Sequence, residues 1–160
     1  MDFRISGLPV EPFVPYFAMS DADLLAHGAR RVVATSSMAA NLMPPCRVSL
    51  RDAAPGEVSI LLNFQHHIAP GSPYRATGPI YVREGVRETA SIVNHVPAQQ
   101  RTRLLSVRAY DSDGIMVDAD VMEGTELEVA IQRMFARDDD AFLHAHNARR
   151  GCYSCRIDRV

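Results

Sequence analysis

Apolar and polar residues alternate on both sides of Asp111-Ser-Asp-Gly114, and that period of two commits the last third of the chain to antiparallel hairpins. Leu105, Val107 and Ala109 alternate with Ser106, Arg108 and Tyr110. Ile115, Val117, Ala119 and Val121 alternate with Met116, Asp118 and Asp120. Matching the two apolar faces requires an odd number of loop residues. A three-residue loop, Ser112-Asp113-Gly114, with Gly114 in the left-handed position of a bulged turn, meets that requirement. It sets Val107 opposite Ala119, and Arg108 opposite Asp118 as a charge pair on the outer face.

The same rule predicts a terminal hairpin around Arg149-Arg150-Gly151. Ala148 then faces Cys152, His146 faces Ser154 and His144 faces Arg156. Leu143, Ala145, Asn147, Tyr153, Cys155 and Ile157 form a core face. Phe142, His144, His146, Cys152, Ser154, Arg156 and Asp158 form a polar one. A slip of one residue mixes the two, which is costly where one face is buried.

Upstream, strands are expected at Phe3–Ile5, Arg31–Thr35, Cys46–Leu50, Val58–Phe64 and Ile80–Arg83. Ser20-Asp-Ala-Asp23 caps a short helix to about His27, stopped by Gly28. Thr125-Glu-Leu-Glu128 reads as a capping box for a helix to about Arg137. Its stripe of Leu127, Ala130, Ile131, Met134 and Phe135 packs on the sheet. Gln65 to Pro79 reads as a long polar loop. The fold class is therefore α+β: a mainly antiparallel sheet built from hairpins, with two helices, one packed across it.

A chain of 160 residues is expected to be one domain with one core. Hydrophobic content of 47 % against 22 % charged excludes a disordered chain. A net charge of −2 with no basic run argues against nucleic acid as partner. No apolar stretch approaches the roughly 18 residues of a membrane span, and no charged leader precedes an apolar segment. The cytoplasm is the expected location. Three cysteines, an odd number, predict free thiols. Lysine is absent, which excludes Schiff-base chemistry and a P-loop lysine contact.

The chemistry gathers in the terminal hairpin. His144 and His146, two apart on a strand, project to one side. Cys152, beside His146 and near Arg149, Arg150 and Arg156, sits where a thiolate is favoured. The three are the catalytic candidates for acid–base or thiol chemistry. Cys152 and Cys155 spell C-x-x-C, but opposite parity denies them one side of a turn, and Cys155 is expected in the core with Cys46. Arg47, Tyr74, Arg75, Arg83, Arg149 and Arg156 are the candidates for holding a small anion, because guanidinium groups grip carboxylate or phosphate with two hydrogen bonds. The leading reading is thus a polar pocket for a small anionic metabolite. A second is a transition-metal site using His144 and His146 with Cys152 or one loop histidine. His66 and His67, being adjacent, point to opposite sides, so at most one of them joins a site, and their expected loop makes exposure the plain alternative. A third reading is an interaction module with no small-molecule site, dimerising through an exposed strand. No cofactor is implied: the G-x-G-x-x-G, G-x-S-x-G and H-E-x-x-H signatures do not occur.

Five segments carry a resemblance: Pro45-Cys-Arg-Val-Ser-Leu50, Ser72-Pro-Tyr-Arg-Ala-Thr-Gly-Pro-Ile80, Arg108-Ala-Tyr-Asp111, Val117-Asp-Ala-Asp120 and His146-Asn-Ala-Arg-Arg-Gly-Cys152. Together they resemble a small bacterial family known as domain of unknown function 1203. The resemblance spans nearly the whole chain. It implies a single-domain bacterial protein of about this length and supplies no activity and no catalytic residues.

Overall fold

The computed structural model describes residues 1–160. Its strands are β1 (Phe3–Ser6), β2 (Arg30–Val33), β3 (Val58–His67), β4 (Ala76–Arg83), β5 (Ser91–Val93), β6 (Leu104–Tyr110), β7 (Met116–Glu123), β8 (Phe142–Asn147) and β9 (Tyr153–Arg159). Four short helices join them: α1 (Val14–Phe17), α2 (Asp21–Ala26), α3 (Ala98–Arg101) and α4 (Leu127–Met134). The fold is α+β with antiparallel strand pairing in both of its sheets. One sheet has six strands in the order β5-β1-β9-β8-β6-β7, the other three in the order β2-β3-β4.

Helix α4 covers one face of the larger sheet. Leu127, Ala130, Ile131 and Met134 pack with Leu105, Val107, Leu143, Ala145, Cys155 and Ile157 into one apolar cluster. The opposite face carries the second cluster: Tyr153 packs with Ile60, Leu62, Ile80 and Val82 of the smaller sheet. The central strands of the larger sheet are therefore buried on both faces, with a helix on one side and a second sheet on the other.

Several local expectations change for identifiable reasons. Helix α2 starts as expected, with Ser20 Oγ accepting from the Asp23 amide and Gly28 at φ 70° behind it. The Thr125 capping box does not form; a 3₁₀ turn over Gly124–Glu126 leads into α4 without a side-chain cap. Gly124 is pressed against the Gln100 backbone, where a Cβ would lie 1.9 Å from the Gln100 carbonyl oxygen, so a tertiary contact sets this entry. Cys46–Leu50 is a tight turn, not a strand: the Leu50 amide donates to the Cys46 carbonyl and Leu50 sits at φ 54°. Arg47 consequently turns inward with Cys46 and Val48.

Only residues 68–75 of the 65–79 segment form a loop, and its two ends are strand. β3 runs on to His67 and β4 starts at Ala76, with Pro79 opposite Asn63. A proline is tolerated there because β4 is an edge strand and needs no outward N–H.

Both hairpins carry a bulge beyond the reach of strict alternation. Tyr110 pairs with Met116 next to the expected loop, then Val117 is extra, and Val107 meets Asp120 while Arg108 meets Ala119. The bulge packs Val117 on the main core and brings Asp120 to Arg133 of α4 at 2.7 Å, leaving Val121 exposed. In the terminal hairpin His144 does face Arg156, but His146 faces Tyr153 and not Ser154. The Asn147 amide donates to the Cys152 carbonyl, so the loop holds four residues, 148–151, and Ser154 is the extra one. Tyr153 thereby moves from the helix-side face to the inter-sheet face, where its ring buries more apolar surface than a serine could.

Candidate metal centre

Strand parity puts His144 and His146 on the face of β8 turned towards the smaller sheet, and both are buried (2 % and 1 % exposed). His66 reaches them from the end of β3. The pairing shifts between Gln65 and His67, making His66 the extra residue of a bulge. That irregularity suspends the alternation of adjacent residues. His66 lies with His144 and His146, and His67 also reaches His144, with ring centroids 5.2 Å apart.

His66, His144 and His146 each offer one ring nitrogen, all within 4.8 Å of one another. His66 Nδ1, His144 Nδ1 and His146 Nε2 are buried and have no hydrogen-bond partner. Buried polar atoms are nearly always satisfied, so three orphaned imidazole nitrogens in one place call for a ligand. His146 Nδ1 donates to the Gly151 carbonyl at 3.1 Å, because a carbonyl can only accept. In the neutral ring this fixes Nε2 as the lone-pair nitrogen, as an outer hydrogen bond does for metal-bound histidines. His67 is held differently: its Nε2 and Ser72 Oγ both donate to the Gly114 carbonyl.

The electrostatics keep the three rings neutral. Burial, reinforced by the neighbouring histidines and arginines, pushes His66 down to about 4, His144 to about 2 and His146 to about 3. Neutral imidazole is the form that ligates, whereas a general base works best with a pKa near the working pH. Aromatic rings wall the cluster. Tyr153 stacks on His66 (centroids 4.9 Å) and meets His144 and His146 edge-on.

One side opens to a cleft of about 740 Å³ between the 66–72 segment and the 112–115 turn, with His144, Phe142 and Arg156 at its inner wall. Gly114 shapes its mouth: at φ 75°, a Cβ there would lie 2.5 Å from Ala69 Cβ. Arg108 pairs with His144 across the sheet and so shares its face, and no carboxylate lies within ion-pair distance of it. Sequence reasoning took Arg108 for the partner of Asp118; the Val117 bulge removed that pairing.

The other candidates scatter. Cys152, across from Asn147, lines a separate small cavity with Arg47 and is not part of the histidine cluster. Arg156 reaches the cleft, stacks on Phe142 at 3.8 Å and pairs with Asp158. Arg83 pairs with Glu57, Arg149 lies at the exposed turn, and Tyr74 and Arg75 are exposed on the 68–75 loop. The signal that could have found His66 is the His-His pair itself, because a bulge beside a functional site turns one of two adjacent residues off the regular alternation. Cys155 and Cys46 are buried and Cys152 is half-exposed. A thiol reagent added to the native protein should therefore modify Cys152 first, with the other two reacting only on unfolding; equal rates would contradict this arrangement.

These features define an α+β protein whose histidine cluster lies between two packed sheets and opens to solvent on one side. The chain belongs to the family described as "Protein of unknown function (DUF1203)", whose model matches residues 43–159 and so includes His66, His144 and His146. No curated protein and no solved structure matches the chain.

Proposed function

We propose that this protein binds one divalent transition metal through His66, His144 and His146, with the remaining coordination position open to the cleft. The observation that carries the reading is a trio of histidines that bring a ring nitrogen each within 4.8 Å of one another and that each hold a buried, unpartnered ring nitrogen. Three nitrogen ligands with an open position are the pattern of catalytic zinc sites, and imidazole also suits copper, iron and nickel.

The chemistry such a site supplies is Lewis-acid activation of a water or an oxygen ligand at the open position. Three neutral ligands would leave the ion's full charge uncompensated, and Arg108, which has no carboxylate partner, adds to it, so an anionic second ligand is favoured at the cleft. This joins the anionic-metabolite reading to the metal reading in one site. General acid–base catalysis by the histidines alone has less support, since their depressed pKa values keep them neutral far below pH 7. Three free cysteines suit a reducing compartment, and we propose the bacterial cytoplasm as the location.

Cobalt titration of chelator-treated protein tests the reading. One equivalent of Co²⁺ should produce visible d–d absorption and raise the melting temperature, since a ligand for the native state alone stabilises it. Absence of both at stoichiometric cobalt, with zinc and copper equally silent by calorimetry, would reject it.

A further inference from the structure

Arg47 is the largest fully buried side chain in the protein, 1 % exposed, and it has no carboxylate partner. Its guanidinium donates through Nη1 to Gln99 Oε1 at 3.0 Å, while Nε finds no acceptor. Its charged neighbour Arg103 is of like sign, and Asp52 is already held by Arg103 through both oxygens. Burial of a cation without a counter-ion costs several kcal/mol, so such a group implies an anion that is not part of the chain.

Arg47 lines a cavity of about 180 Å³, the liquid volume of roughly six waters. Arg150 and Cys152 line it at the terminal hairpin, with Asn147, whose Oδ1 is buried and unpartnered. The rest of the wall is largely apolar, including Leu61 and Ile80. We infer that this cavity is a second binding site, for a small organic monocarboxylate: the carboxylate lies between Arg47 and Arg150, and a short aliphatic body rests on Leu61 and Ile80. A guanidinium presents paired N–H donors that match a carboxylate. The apolar wall disfavours a fully hydrated inorganic oxyanion, whose water it could not replace. This site uses none of the three metal-binding histidines and does not depend on the metal reading.

Sodium butyrate is the probe, at constant ionic strength set with chloride, on the full chain as purified. Calorimetry should show one saturable site, and butyrate should slow alkylation of Cys152 by iodoacetamide in proportion to its occupancy. Arg150→Gln should weaken butyrate at least about tenfold, Arg47→Met should remove binding, and Arg149→Gln, a neighbouring arginine outside the cavity, should leave it unchanged. Should Arg47→Met fail to fold, the Arg150→Gln titration and the Cys152 protection decide the matter. Absence of saturable heat and of protection, or an Arg150→Gln affinity equal to wild type, would overturn the site. Sulfate matching butyrate in both assays would overturn its assignment to a carboxylate with an apolar body.

Discussion

Replacing His144 by alanine should abolish stoichiometric metal binding while leaving the metal-free protein folded. His144 lies with His66 and His146, its ring centroid 6.3 Å from each of theirs, and no hydrogen bond from the chain occupies its Nδ1. Loss of an outer-shell partner alone costs roughly 10–100-fold in metal affinity; loss of one of only three ligating side chains should cost at least about hundredfold. The apoprotein bears a smaller penalty, because the imidazole it loses was an unsatisfied buried polar group. Cobalt absorption, and the melting shift with zinc, measure the first effect; the melting temperature of the chelated protein measures the second. His146→Ala should lose metal to the same degree. Cys152→Ser should bind metal as wild type does, since its sulfur stands outside the cluster. Metal binding that survived His144→Ala but failed in Cys152→Ser would move the site to the hairpin turn.

The metal-free protein should lose stability steeply as pH falls below about 6.5. The sign follows from the depressed histidines. In the unfolded chain each takes up a proton near its ordinary value of 6.5, while in the native protein His146 resists down to about 3 and His144 down to about 2. Between those limits the unfolded state binds more protons, so stability falls with falling pH and levels off only once the native rings themselves protonate. From pH 7 to pH 5 the two fully buried rings together remove about 4 kcal/mol. That is a large part of the roughly 5–15 kcal/mol that holds a typical domain folded. Urea unfolding at pH 7, 6 and 5 gives the slope, and His144→Ala should reduce it by about half of that contribution. A stability flat over this range would mean that the rings are hydrated and unshifted in solution.

The alternation around Asp111-Ser-Asp-Gly114 and around the terminal hairpin identified β6 through β9, and the stripe from Leu127 to Phe135 identified α4 and the face it covers. These features are legible because hydrophobic period and turn residues are local properties. The parity of His144 and His146, and the burial of Cys155, follow from the same local rule. The bulges at His66, Val117 and Ser154 do not. Each places an extra residue to satisfy a distant partner: His66 against the β8 histidines, Val117 against the main core, and Ser154 against the Gln100 amide. A pattern of two cannot signal where it is about to be broken.

The sequence by itself determined an antiparallel α+β fold, the register of His144 with Arg156, and the side on which both β8 histidines project. Only the tertiary structure decided that this side is buried under a second sheet, that His66 completes a cluster Cys152 does not join, and that Arg47 points inward without a counter-ion. The physical reason is range. Alternation and turn chemistry act over a few residues, whereas the stacking of one sheet on another joins residues nearly eighty positions apart, and it converts a polar strand face into a buried cluster of neutral imidazoles.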